Sequence, residues 1–273
     1  MKRLLVLLVL LFVFINAKAT HLMGGEITWE CVKDSASPDL GKYIFYMKIY
    51  RDCDGNPFST TITSLDVWNH PSVTQIPLNL VSSADISPDC DVLNSGNGAL
   101  DCATNPVGAV EEFIFASQPI ILAGSPPNNG WHFSWETCCR NGAISNLFLT
   151  APSFPSEGFT LRASMFPYID NAGNTVPADP CFDNSPRFNE SPQTIICTGY
   201  PFAYTHNASD NELDSIVYDW DEPLDYSSSS VNPAVGLPWN PGPGGNPNVV
   251  PWLAPYTVNF PLPGGVVLDP QTG

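Results

Sequence analysis

Positive charge is what this sequence has least of. Ten Lys and Arg stand against 27 Asp and Glu in 273 residues, a formal charge of −17. A surface this acidic repels phosphate, which excludes nucleic acid and anionic lipid headgroups as partners. Charge of either sign is scarce, at 14% against roughly 25% in ordinary soluble domains. Hydrophobic residues still make up 43%, enough for a packed core and too many for wholesale disorder. The 28 prolines, about twice ordinary usage, exclude long helices and with them an all-α fold. H-E-x-x-H, G-x-S-x-G and a Gly-rich phosphate loop are all missing, so the common metalloprotease, hydrolase and nucleotide chemistries have no residues to run on. The expectation is a protein that is not an enzyme and has no catalytic residues.

After the first twenty residues no apolar run approaches the eighteen of a membrane span. The start reads as a secretory leader over residues 1–19. Met1-Lys2-Arg3 is positive, Leu4 to Ile15 is apolar, and Ala17-Lys18-Ala19 offers a small-residue cleavage site before Thr20. Twelve residues at ~1.5 Å each are too short for ~30 Å of hydrocarbon. Loss of Lys2, Arg3 and Lys18 with the leader takes the charge from −17 to −20.

All eight cysteines lie beyond the leader: Cys31, Cys53, Cys90, Cys102, Cys138, Cys139, Cys181 and Cys197. An even count in an oxidising compartment points to disulfides. Zinc is disfavoured, because there is no C-x-x-C pair and adjacent thiols chelate poorly. Short polar loops suggest Cys90 with Cys102 and Cys181 with Cys197, leaving Cys31 and Cys53 for Cys138 and Cys139.

Alternation of period two recurs along the chain. Glu26 to Val32 puts Ile27, Trp29 and Cys31 on one face, and Tyr43 to Tyr50 is aromatic and β-branched before the turn at Arg51 to Pro57. Further strands are expected at 60–68, 112–122, 130–136, 144–150 and 158–166, separated by Pro, Gly, Asn, Asp and Ser. Strands at this spacing without helical patterns imply antiparallel β-sandwich architecture, with a first domain over residues 20–175. A second domain is expected over 176–273, with strands at 195–197, 215–218 and 256–260. After Arg187 there is no Lys or Arg, while nine acidic residues remain. Residues 231–263 hold nine prolines and are expected to run extended over the surface, pinned by Trp239 and Trp252. The final Val-Val-Leu-Asp-Pro-Gln-Thr-Gly reads as a strand and turn lacking a partner, so the sequence is expected to stop inside a domain.

Two chemical candidates stand out. Asp210, Glu212, Asp214, Asp219 and Asp221, with Glu222, crowd carboxylates within residues 210–222 with no Lys or Arg among them. Calcium takes six to eight oxygens from such loops, so calcium is the candidate ligand, a solvated acidic loop being the bland alternative. Trp131-His132-Phe133-Ser134-Trp135-Glu136 could form a sugar platform, but on a sandwich strand it reads as core with His132 outward. Asp52 and Asp54 beside Gly55 read as turn chemistry.

The stretches Ala19 to Trp29, Tyr46 to Cys53, and Cys138-Cys139-Arg140-Asn141 with Ile144-Ser145-Asn146 resemble the opening module of very large secreted proteins of gliding Bacteroidetes. The resemblance covers residues 19–225. It implies immunoglobulin-like sandwiches, a place in gliding-motility-associated surface proteins, and export by type IX secretion. Asn207-Ala208-Ser209-Asp210, Asp214 to Tyr218 and Leu268 to Gly273 are similar to cadherin-like repeats, which use Asp-rich loops for calcium. Asp34-Ser35-Ala36 and Asp214-Ser215-Ile216 match the triplets that carry O-glycans in that group. The functional expectation is a secreted cell-surface adhesin or filament component whose ligands are surface or extracellular polysaccharides or proteins. The alternative is a secreted carbohydrate-binding or carbohydrate-active protein.

Overall fold

The computed structural model describes residues 22–55, 63–87, 99–137, 140, 144–148, 158–190, 192, 203–225 and 249–273. The leader lies outside them. Nine strands are found among the described residues, and no helix. They are β1 (Leu22–Cys31), β2 (Tyr43–Asp52), β3 (Thr63–Trp68), β4 (Gln75–Asp85), β5 (Val110–Ser117), β6 (Trp131–Thr137), β7 (Phe159–Met165), β8 (Arg187–Phe188) and β9 (Ala208–Ser209). The first seven form one antiparallel sheet in the order β1-β2-β5-β4-β3-β6-β7. This is the strand order of a seven-stranded immunoglobulin sandwich, with β1-β2-β5-β4 facing β3-β6-β7 and the β3–β4 pair joining the layers. The protein is therefore all-β, antiparallel and disulfide-bonded, as its sequence indicates.

The core follows from the alternation. Ile27, Trp29 and Cys31 point inward from β1, opposite Met47, Phe45 and Tyr43 of β2. Met47 and Ile49 in turn stand opposite Phe115 and Phe113 of β5. From the other layer, Phe133 of β6 reaches Phe45 at 4.5 Å and Trp29 at 5.9 Å between ring centres. These strands are not neighbours in the sheet, so the contacts measure two layers closing on each other.

The curled sheet brings β1 and β7 together, and Gly25 makes that approach possible. A Cβ there would lie 2.4 Å from the Lys48 carbonyl oxygen and 2.7 Å from Leu161 Cδ1. The second glycine of the amino-terminal Gly-Gly thus serves strand closure. A strap at 178–186 covers the other end of the β1 edge. Ser185 N donates to Trp29 O (3.0 Å), Trp29 N donates to Ser185 Oγ (2.8 Å), and Cys31 N donates to Asn184 Oδ1 (2.6 Å). Edge backbone groups that would invite another strand are satisfied this way.

The strap places one of the two disulfides found among the described residues. Cys31 pairs with Cys181 and Cys53 with Cys102, which corrects the expected Cys181–Cys197 and Cys90–Cys102 bonds and the assignment of Cys31 and Cys53 to Cys138 and Cys139. Local loop length was the wrong guide. Chain reversal around the sandwich lays Cys181 beside Gly41, whose carbonyl accepts the Cys181 N–H at 2.9 Å. Cys90, Cys138, Cys139 and Cys197 lie outside the described residues.

The expected strands at 215–218 and 256–260 are not regular strands. Residues 215–218 carry no regular structure, and 257–260 form a tight turn in which Thr257 and Phe260 bridge. Among the described residues 144–148, Leu147 bridges, to Trp252. The stretch 195–197 is outside the described residues, as is Trp239. Trp252 is fastened to this bridge and donates its indole N–H to Glu222 Oε2 at 2.7 Å. Among the described residues after 176 the β8–β9 ribbon is the regular structure, and residues 251–273 bond to the 146–148 loop and to Thr205 and Tyr218.

Candidate functional site

The acidic run does not converge. Asp210 Oδ1 accepts the backbone N–H groups of Glu212 and Asp214, a local turn. Glu212 is an ion-pair partner of Lys33 and accepts from both Asn184 N and Asn184 Nδ2. Asp219 accepts the N–H of Trp220, and Asp221 faces Arg162 at 3.3 Å. Among the described residues no three Asp, Glu, His or Cys side chains come together in a group able to hold a metal ion. Asp52 caps its own turn, accepting the Asp54 N–H at 3.0 Å. Glu111 is paired with the buried Arg51 at 2.6 Å.

The Trp131–Glu136 segment is core. Trp131, Phe133 and Trp135 are buried between the layers. His132, expected outward, is buried as well. Trp68 and Ser164 stand opposite or beside it on the flanking strands, Trp68 Nε1 reaches across to Ser134 Oγ (3.1 Å), and the His132 ring bonds Ser164 Oγ at 2.7 Å. A side chain on the outer face of a central strand is covered when its neighbours are this large.

Among the described residues the two most voluminous of four surface clefts lie beside β1. The first, about 450 Å³, lies over Gly25 to Thr28 and is walled by Phe188, His206, Tyr218 and Trp220. The second, about 420 Å³, lies between Trp29, the chain leaving β7 and the acidic run. Its rim holds Phe166 and Val217, 60% and 72% exposed, together with Tyr168, whose ring sits 5.4 Å from Phe182. Trp29 lines it as a wall residue that is 7% exposed and whose indole N–H has no hydrogen-bond partner among the described residues.

Asp183, Asp210 and Asp214 also line the second cleft. Burial, and then the negative charges of Glu212, Asp210 and Asp214, push the Asp183 carboxyl up to about 6; Lys33 acts in the opposite sense. The structure therefore gathers Asp210 and Asp214 from the sequence candidates, adds Asp183, and separates Asp221. Asp183 carries no sequence signal of its own. It stands in Cys181-Phe182-Asp183-Asn184-Ser185-Pro186, a loop with neither period nor motif.

No protein-family model, curated protein or solved structure matches this chain.

Proposed function

We propose that this chain is an exported, non-catalytic binding and scaffolding module of a large cell-surface adhesin or filament, of the kind its amino-terminal motifs resemble in gliding Bacteroidetes. The observation that carries the reading is the fastening of Cys31 to Cys181 around an immunoglobulin-type sandwich whose clefts lie on the outside. A disulfide closing so long a loop belongs in an oxidising compartment. The leader-like start, the acidic surface and the exposed aromatic rim agree with life outside the cell and with contact by many weak modules added together.

The test is the location and size of the native product. Antibody raised to residues 22–190 is used on whole cells, stripped surface material and medium. A surface-bound band far above 29.6 kDa is the expected result. A cytoplasmic band with free thiols overturns the reading.

A secreted carbohydrate-binding protein is the second reading, and the aromatic wall of the first cleft favours it. Soluble oligosaccharides would then quench Trp220 fluorescence, an effect lost in Trp220→Ala.

A further inference from the structure

The second cleft combines features that a neutral ligand does not use. Asp183, Asp210 and Asp214 bring three carboxylates to its lining, and Glu212 adds a fourth negative charge near Asp183. Lys33, a cation beside them, is already paired with Glu212. In the same lining Phe166 and Val217 leave apolar surface in water, and Tyr168 is half exposed. Like charges held together in a partly desolvated cleft repel strongly, and a cation entering between them removes that repulsion. Exposed apolar surface next to such a site marks contact with a partner rather than with solvent. A metal ion would answer the charge but not the apolar rim, and the described carboxylates are not grouped to hold one. A neutral sugar could donate hydroxyl hydrogen bonds to these carboxylates but would leave their like charges unneutralised.

We propose that this cleft docks a segment of a partner protein carrying a lysine or arginine flanked by apolar side chains. The cationic head enters between Asp183, Asp210 and Asp214, and the flanks cover Phe166, Tyr168 and Val217. The inference rests on the adhesin reading for its setting and names the partner class of that surface.

The probe is a labelled peptide, Leu-Lys-Leu-Arg-Leu, titrated into the full chain by fluorescence anisotropy, with Leu-Gln-Leu-Gln-Leu as control. Binding of the basic peptide alone is expected. It should weaken about tenfold in Asp183→Asn with Asp214→Asn, and strongly in about 0.5 M salt. It should also weaken as pH falls from about 7.5 to about 5, because Asp183 becomes neutral there. A Phe166→Ser variant, which leaves every carboxylate in place, should weaken binding severalfold. Thermal melts verify that each variant is folded. Equal binding of both peptides, or binding unchanged in the double Asn variant, overturns the proposal. So does a calcium-induced rise in melting temperature that the same double variant abolishes, since the cleft would then be a metal site. Fractionation of cells reads the adhesin proposal separately: a surface-bound protein that ignores the basic peptide defeats the docking site alone.

Discussion

His70 packs its ring tilted against Trp131, with ring centres 4.4 Å apart and 54° between planes. In that position its Nδ1 accepts two backbone N–H groups, from Ser72 at 3.2 Å and Val73 at 2.9 Å, and so shapes the turn between β3 and β4. A protonated imidazole has no acceptor, so a proton on Nδ1 would break both bonds.

Acid should therefore loosen the sandwich. Burial lowers the pKa of His70; burial and then the Arg162 charge lower that of His132. A group depressed in the folded state contributes stability that is full above its unfolded value, about 6.5, and fades as pH falls through the folded value. Asp183 runs the other way: its raised carboxyl favours the fold below 3.8 and is a burden above about 6. Urea midpoints measured between about pH 7.5 and 5 should fall in wild type. They should fall less in His70→Gln, whose side-chain oxygen can still accept, and more in Asp183→Asn, which lacks the opposing group. Equal slopes in all three would refute this.

Gly25→Ala should cost about 1–3 kcal/mol, because the new methyl group meets both the Lys48 carbonyl and Leu161. Adding Leu161→Ala should recover only part of the loss, since the carbonyl belongs to the backbone. Gly24→Ala, with its nearest neighbour at 3.8 Å, is the control and should be close to neutral. Chemical denaturation ranks the four.

Replacing Cys31 and Cys181 by Ser opens a loop of 150 residues and should cost about 5 kcal/mol on a chain-entropy estimate. Limited proteolysis should then cut first within the strap at 178–186, which loses its covalent anchor but keeps its hydrogen bonds to Trp29. A variant that melts as wild type and resists protease would show that the packing alone holds the strap.

Phe133→Ala should cost about 3–5 kcal/mol, as it removes the ring through which the two layers meet. Soluble oligosaccharides should leave the emission of Trp131 and Trp135 unchanged, because both are buried. Sugar-dependent quenching assigned to either one would reopen the platform reading.

Strands with apolar alternation in their sequence were legible: β1, β2, β5, β6 and β7 fall where that alternation places them, with ends off by a residue or two, by four at the start of β1 and by five at Leu122. β4 escaped notice. Only Ile76 and Leu78 of its eleven residues are buried, Pro77 interrupts the pattern, and Asn79 to Asp85 are exposed, so pairing with β5 rather than burial makes it a strand. The cysteine pairs were illegible for a different reason. Cys31 meets Cys181 only after seven strands have wound around the core, and nothing local to either residue records that path. The second cleft shares this origin, since Trp29, Asp183 and Asp214 come from three distant segments.

The bond between Cys31 and Cys181 also determines where a pull would be felt. Tension applied ahead of residue 31 and beyond residue 181 passes across two sulfur atoms and leaves the intervening chain slack. Were that chain to unravel, 150 residues would release about 500 Å of length. With the bond intact that length stays stored, and a pull between the two ends bears on β1 and the strap while the six strands between them carry none of it along their chain.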